Sequence, residues 1–406
     1  MHFRLAITLA YKNLLRNKIR NGLTGLTICL SVFILILGNG FIDGIDEATI
    51  RSQENVIGGS ILLRPNNYPS DGRNFPLAKM QPLNDEVLQL VKSEEVQTWT
   101  TRIWSVANII QGDTKIKIKL LGYAPERDPL VFARDRWRIT GNWPIEDEQV
   151  MLSEHLAELL SLKTGDGIVI KGQTMPGSVN AMDFTVTGTV KTNNVIADGY
   201  VVWMPIKTAS NFLLSNDYVN QISLKLSENA SPENFKKTVN TTTWKANTAR
   251  DELAAVLKIN EFRRRAIGFI SLALMLIAAT GIANTIIMAT YERIPEIGIL
   301  RALGMTKPTV FSMFLLEGIG LGLVGGSFGA VFGGLVNYHF NKVGIDLTST
   351  FEGLGDLPFP TYMYTDFSQK MIFMAICFGI IASTLASLWP AYQGLKIEPS
   401  IAIKEE

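Results

Sequence analysis

Two cysteines in 406 residues, Cys29 and Cys377, exclude a disulfide framework, and both lie in apolar stretches where a thiol acts as a small hydrophobic side chain. The three histidines, His2, His155 and His339, are scattered without metal-ligand spacing, so no metal site is expected. No G-x-x-x-x-G-K-[ST] loop occurs, which excludes a P-loop cradle for nucleotide phosphates in this chain. Ser153-Glu154-His155 has the composition of a catalytic triad, but neighbours on one helix do not converge, and helix capping is the expected role of Ser153. Glu146, Asp147 and Glu148 are expected to form a solvated acidic turn, not a carboxylate pair. No catalytic residue is assigned, and the chain is not expected to be an enzyme by itself.

Charge is also missing in long blocks. Residues 21–42, 266–291 and 371–395 hold none, and 309–341 hold only Glu317. A bilayer span needs about 20 apolar residues, so four transmembrane helices are expected. The first 20 residues carry Arg4, Lys12, Arg16, Lys18 and Arg20 and no acid, which by the positive-inside rule keeps this end cytoplasmic. Four spans then return the C-terminus to the cytoplasm and place the long segment after the first span outside. Arg263, Arg264 and Arg265 fall at the outer end of the second span, against the simple rule, but long loops translocate largely regardless of charge. The first apolar run is longer than a signal-peptide core and lacks a small-x-small site after it, so it is read as a retained span.

The boundaries drawn from these patterns are as follows. Residues 1–20 form a cytoplasmic amphipathic segment, 21–42 the first span, and 43–265 an extracytoplasmic α/β domain with stalk helices. The second span is 266–290, a cytoplasmic connecting helix is 291–308, and the third span is 309–338. An outer loop at 339–369, the fourth span at 370–395 and a cytoplasmic tail at 396–406 complete the chain. The fold class is thus an α-helical membrane protein with four transmembrane helices (1+3) plus a large mixed α/β extracytoplasmic domain.

In the outer segment, Leu83 to Val91 has helical spacing with Asn84 as N-cap. Runs on either side of Gly112-Asp113 read as a hairpin. Lys115, Lys117 and Lys119 alternate with Ile116, Ile118 and Leu120, giving one basic face, either merely solvated or anion-binding. Further β-runs are read at Ser60 to Leu63, Ile168 to Lys171, Phe184 to Val190 and Tyr200 to Trp203. Apolar positions continue past the first span through Ile42 and Ile45, and Leu253, Val256, Leu257 and Phe262 approach the second. Both read as stalks. In the third span, Gly318, Gly322 and Gly326 form one four-residue stripe, and Gly325, Gly329 and Gly333 another. Such stripes let helix backbones approach closely, within a subunit or between two. Glu317 should face protein or water.

The connector 291–308 reads YERIPEIGILRALGMTKP. As a helix it places Ile297, Leu300 and Leu303 on one stripe, with Gly304 suited to the C-terminal cap and Pro308 to the start of the next helix. On pattern alone it either rests on the lipid surface or docks a partner. Its wording resembles the coupling helix of ABC permeases of the type VII (MacB-like / FtsX-like) superfamily. The matching residues are Glu292, Arg293, Glu296, Ile297, Gly298, Leu300, Arg301, Ala302, Leu303 and Gly304. Pro295 departs from the family's frequent polar residue there. VMLSEHLAELLSLKTGDGIVIKG, FTVTGTV and VVWMPIKTA resemble the outer half of the same superfamily more loosely. GIDLTSTFEGL at 344–354 resembles a phrase of lipoprotein-releasing permeases. The tail's Pro399-x-x-Ala402 resembles the family's closing pattern, with Ile403 in place of leucine.

The resemblance implies a permease subunit in a bacterial inner membrane with a periplasmic domain and both termini cytoplasmic. It implies mechanotransmission from an ABC ATPase dimer, with ATP and Mg on that partner and no cofactor in this chain. A second permease, membrane lipid and a lipoprotein or a periplasmic or outer-membrane protein are the further partners implied, and no nucleic acid. Release of lipoproteins from the outer leaflet is the expected function. Drug or peptide efflux and signalling to a wall hydrolase stand as alternatives. Val32, Phe33, Ile36 and Leu37 either line a lipid cavity or face bulk lipid.

Overall fold

The computed structural model describes residues 12, 16, 18–69, 75–112, 114–135, 137–192, 194, 196–239, 243–292, 299, 304–346 and 362–394. Most of the expected segment 1–20, the connector at 293–298 and 300–303, the phrase from 347 onward and the tail from 395 lie outside the described residues. The chain divides into two compact units. One takes residues up to Asp46, from Lys258 and from Tyr362, and the other takes Glu47–Leu257.

Helix α1, Lys18–Gln53, has 36 residues, and at 1.5 Å per residue it is about 54 Å long against a hydrocarbon core of about 30 Å. It is therefore long enough to continue past a span, as the positions Ile42 and Ile45 indicated. It ends in a π-helical turn, Glu54–Gly58, closed by Gly59 at φ +70°. A Cβ on Gly59 would lie 2.6 Å from the Leu224 carbonyl oxygen, so this corner admits no side chain.

The outer unit then builds a sheet of ten strands. In chain order these are β1 Ile61–Pro65, β2 Val96–Gln111, β3 Thr114–Tyr123, β4 Arg138–Gly141, β5 Gln149–Ser153, β6 Gly167–Gln173, β7 Val179–Lys191, β8 Val201–Pro205, β9 Gln221–Leu226 and β10 Trp244–Asn247. Helices α2 Asp85–Leu90, α3 Asp128–Val131, α4 Glu154–Leu160, α5 Ile206–Leu213, α6 Pro232–Thr238 and α7 Ala249–Glu252 punctuate them. The pairings β2–β3, β3–β8, β8–β5, β5–β7, β7–β6 and β6–β2 return to their starting strand. This closed circuit removes most of the free edges that an open sheet would carry. The strands β10, β1 and β9 extend it from the first half of β2.

Two apolar clusters fill the outer unit. One gathers aliphatic side chains such as Ile61, Leu120, Leu152, Ile170 and Ile222 with Phe184 and Phe212. The other is aromatic, with Trp104, Tyr123, Phe132, Trp137 and Trp203. Asn84 caps α2 as the sequence indicated, accepting from the Val87 N–H at 3.2 Å. Ser153 does not cap α4. Its hydroxyl donates to the Gly199 carbonyl, which ties β5 to the approach of β8.

Thr248 and Asp251 form a capping box at α7, and Ala249 and Leu253 pack on Ile50 of α1. Val256 and Phe262, expected on the same face, are 43% and 73% exposed. The remaining helices are α8 Ala254–Glu292, α9 Lys307–Val343 and α10 Gln369–Gly394, with a short ladder of β11 Ile345–Asp346 and β12 Tyr362–Met363 between the last two. Among the described residues, four helices are long and apolar enough to cross a membrane: α1, α8, α9 and α10.

Candidate functional site

The glycine stripes of α9 face two different helices. Gly318 and Gly322 lie against Ser387 and Ser383 of α10, and a Cβ on Gly318 would come within 2.5 Å of the Ser387 side chain. Gly325, Gly329 and Gly333 lie against α1, where a Cβ on Gly325 would come within 2.7 Å of the Gly25 carbonyl oxygen. Gly326 has more room, with its nearest neighbour at 3.7 Å. Val32 and Ile36 are fully buried with Ala330 and Ala375, because Gly329 and Gly333 opposite them leave space for their branched side chains. These two therefore line no open cavity. Phe33 and Leu37 are half-buried. Glu317 is buried in α9, only 1% exposed.

A groove of about 500 Å³ opens between α1, α8 and the start of α10. Leu35, Met371, Met374 and Phe378 supply an apolar part, and Asp43, Arg264, Asp366 and Lys370 a charged part. Arg264 pairs with Asp43 at 2.6 Å and approaches Asp46 at 3.4 Å. Asn260 donates to Asp46 at 2.5 Å, and Arg263 donates to Asn260 at 3.0 Å. The arginine cluster that stood against the simple charge rule thus includes a residue matched by two carboxylates on α1. The sequence reading assigned no role to Asp43 or Asp46, although their spacing on the continuing helix was visible.

The junction at the end of α1 is held by a buried polar network that sequence reasoning missed. Arg102 is fully buried and bonds both Asp128 oxygens, at 2.7 and 2.9 Å. Arg134 adds a third bond to Asp128 at 3.0 Å. Arg102 also donates to the carbonyl oxygens of Val56 at 2.6 Å and Ile57 at 3.3 Å, in the π-helical turn. Gln221 donates to Ile57 at 2.5 Å and accepts from the Trp104 indole at 2.8 Å. The Arg102 guanidinium stacks 3.6 Å from the Phe132 ring centre, and that of Arg134 stacks 3.8 Å from Trp143. Burial pulls the Arg134 pKa below its ordinary value, against the opposing pull of Asp128. Burial likewise pushes the Tyr123 hydroxyl up. The one sequence signal for this network was an arginine, Arg102, just before the β-rich run that precedes Gly112-Asp113.

Of the connector, Tyr291 and Ile299 are helical and exposed, and Gly304 takes a left-handed φ of +98°. Thr306 occupies the N-cap position of α9 and Pro308 its first turn. Glu292 belongs to α8, while Arg293, Glu296, Ile297, Gly298, Leu300, Arg301, Ala302 and Leu303 cannot be placed among the described residues.

Two family models match the chain. That of the MacB-like periplasmic core domain matches residues 22–242, and that of the FtsX-like permease C-terminal matches residues 268–399. The chain belongs to the MacB-like, FtsX-like superfamily of ABC permeases. Among its relatives is the lipoprotein-releasing system transmembrane protein LolC of Neisseria meningitidis, 26% identical over 278 residues, which cover 63% of this chain and 65% of that protein. The ABC transporter permease YtrF of Bacillus subtilis is 33% identical over 140 residues, 34% of this chain and 31% of the relative. The macrolide export ATP-binding/permease protein MacB of Pasteurella multocida is 20% identical across 100% of this chain and 61% of its own length. The chain thus spans about two thirds or less of these curated relatives. This permease is a membrane protein with four spanning helices and a large α/β domain of the periplasmic type.

Proposed function

We propose that this permease is the membrane subunit of an ATP-driven transporter and that it releases acylated proteins from the outer leaflet of a bacterial inner membrane. The groove between α1, α8 and the start of α10 is the observation that carries this reading. Its apolar part, from Leu35 to Phe378, suits an acyl chain, and its charged part, with Arg264 and Lys370, suits the polar end of the same molecule. ATP, with Mg, is bound and hydrolysed by a separate ABC ATPase dimer, which grips the segment 292–304. A second permease, identical or related, completes the membrane part. Both termini lie in the cytoplasm, and the outer domain in the periplasm. Motion of the grip passes along α1 to the π-helical turn and the Arg102 network, so cargo is moved without crossing the whole bilayer.

Efflux of a drug or peptide is the second reading, supported by the match to a macrolide exporter along the whole chain. Native mass spectrometry of the purified transporter separates the two. An acylated protein or lipid that is lost in Leu35→Trp, which fills the groove, supports lipoprotein release. A copurifying outer-membrane duct protein, with no acyl species bound, overturns it.

A further inference from the structure

Strand β3 is paired along its full length on one side only. There β2 runs beside it from Gln111↔Thr114 to Arg102↔Tyr123. On the other side β8 begins at Lys119, which pairs with Val201. The Lys119 N–H donates to the Tyr200 carbonyl at 2.7 Å, which fixes the direction of its backbone groups. Because backbone groups alternate between a strand's two neighbours, those of Lys117 and Lys115 point the same way, toward the side where β8 has not yet begun. Among the described residues, no second strand pairs with Thr114–Ile118.

A groove of about 700 Å³ follows this stretch, lined by each residue from Lys115 to Lys119. Consecutive residues of a strand point to opposite faces, so five in a row place the groove along the strand's edge, and Val106 of β2, the register partner of Lys119, extends it onto the lysine face. Across it stand Leu159 and Tyr200, which are 51% and 41% exposed. Lys115 and Lys117 are exposed, and no carboxylate among the described residues forms an ion pair with either. Lysines on an edge commonly serve to discourage pairing. That purpose needs the charge alone and not a recess with an apolar wall beside it.

We propose that this groove binds an extended acidic peptide segment of a partner protein, which adds to β3 as a further strand along Thr114–Ile118. Its backbone meets the outward N–H and C=O groups of Lys115 and Lys117, as in other strand-addition interfaces. Carboxylates at alternate positions meet the lysines on one face. Apolar groups at the positions between meet Ile116 and Tyr200 on the other, since Tyr200 precedes Val201, the register partner of Lys119. The groove belongs to the outer domain alone, so its occupant is independent of the transport reading.

The test titrates the full-length protein, held in zwitterionic nanodiscs, with a fluorescent peptide of alternating glutamate and valine. Controls are a lysine–valine peptide, a glutamate–valine peptide N-methylated at alternate residues, and competing phosphatidylglycerol vesicles. The acidic peptide binds in a salt-dependent way. The double reversal Lys115→Glu with Lys117→Glu weakens it, and so does Lys117→Pro, which deletes an edge donor while leaving the β2 ladder intact. Each weakening is about tenfold or more, as expected for a lost backbone hydrogen bond or a reversed charge. N-methylation weakens the peptide similarly without altering the protein, so the inference stays testable if Lys117→Pro misfolds. Equal binding of acidic and basic peptides, or unchanged binding of the N-methylated peptide, overturns it. So does displacement by vesicles that leaves Lys117→Pro at wild-type affinity, which marks a lipid-binding face instead.

Discussion

Asp128 holds two guanidinium groups at once, and its own side chain is fully buried. Removing it leaves Arg102 without an anion in a site from which water is excluded, and breaking a buried pair in this way costs about 3–5 kcal/mol. Asp128→Ala should therefore lower the melting temperature of the purified protein well below that of an exposed control such as Glu47→Ala, where an i,i+4 pair to Arg51 is worth a few tenths. The aspartate in the α7 cap gives a pH test. Burial raises the Asp251 carboxyl, but Lys236 at 2.7 Å and the Thr248 donors outweigh it, so its folded pKa falls below the ordinary 3.8. A depressed folded pKa contributes stability above the unfolded value and loses it as pH falls through the folded one. Asp251→Ala should thus destabilise by about 1 kcal/mol at neutral pH, with the gap to wild type closing in strongly acidic buffer. The capping residues Thr248 and Asp251 are three positions apart in sequence and were within reach of a pattern. Arg102 and Asp128 are 26 residues apart, and nothing local announces that they meet.

For the helices, the four-residue glycine spacing made close packing of α9 legible, because one turn separates successive members of a stripe. Spacing does not name the neighbour, and the geometry supplies α10 for one stripe and α1 for the other. It also ranks the glycines. An alanine methyl at Gly329 would meet the Cys29 carbonyl, with Val32 Cβ at 2.9 Å, both too near to be accommodated without moving a helix. At Gly326 the nearest atom is 3.7 Å away. Gly329→Ala should cost about 1–3 kcal/mol by overpacking, whereas Gly326→Ala should be neutral or stabilise slightly through helix propensity. Melting of the two variants in detergent checks this, and equal effects would mean that α1 and α9 do not approach as described. The same geometry explains why Val32 and Ile36 are buried. From sequence they belonged to an apolar run whose inward face could not be distinguished from its outward one.

Across the whole molecule, charge-free length marked the four spanning helices, and β-rich runs marked much of the outer sheet. The closed circuit of strands was not legible, because β2 pairs with β6 and β9 through contacts far along the chain. The connection to a motor is carried by wording, not by periodicity, since Glu292 to Gly304 would look like any surface helix without the family's phrase. A charge reversal there separates the two possibilities. Glu296→Lys should leave membrane insertion and the melting temperature unchanged, because in the sequence the residue lies between two charge-free spans and within neither. If the helix seats in an ATPase groove, the reversed charge should abolish substrate-stimulated ATP hydrolysis by the partner and reduce transport to background. If the helix only rests on lipid, added positive charge should strengthen its attraction to anionic headgroups and leave transport intact. The measurement is ATP hydrolysis by the reconstituted complex with and without substrate, and an unchanged ratio in Glu296→Lys would remove the coupling assignment while leaving the four-span architecture standing.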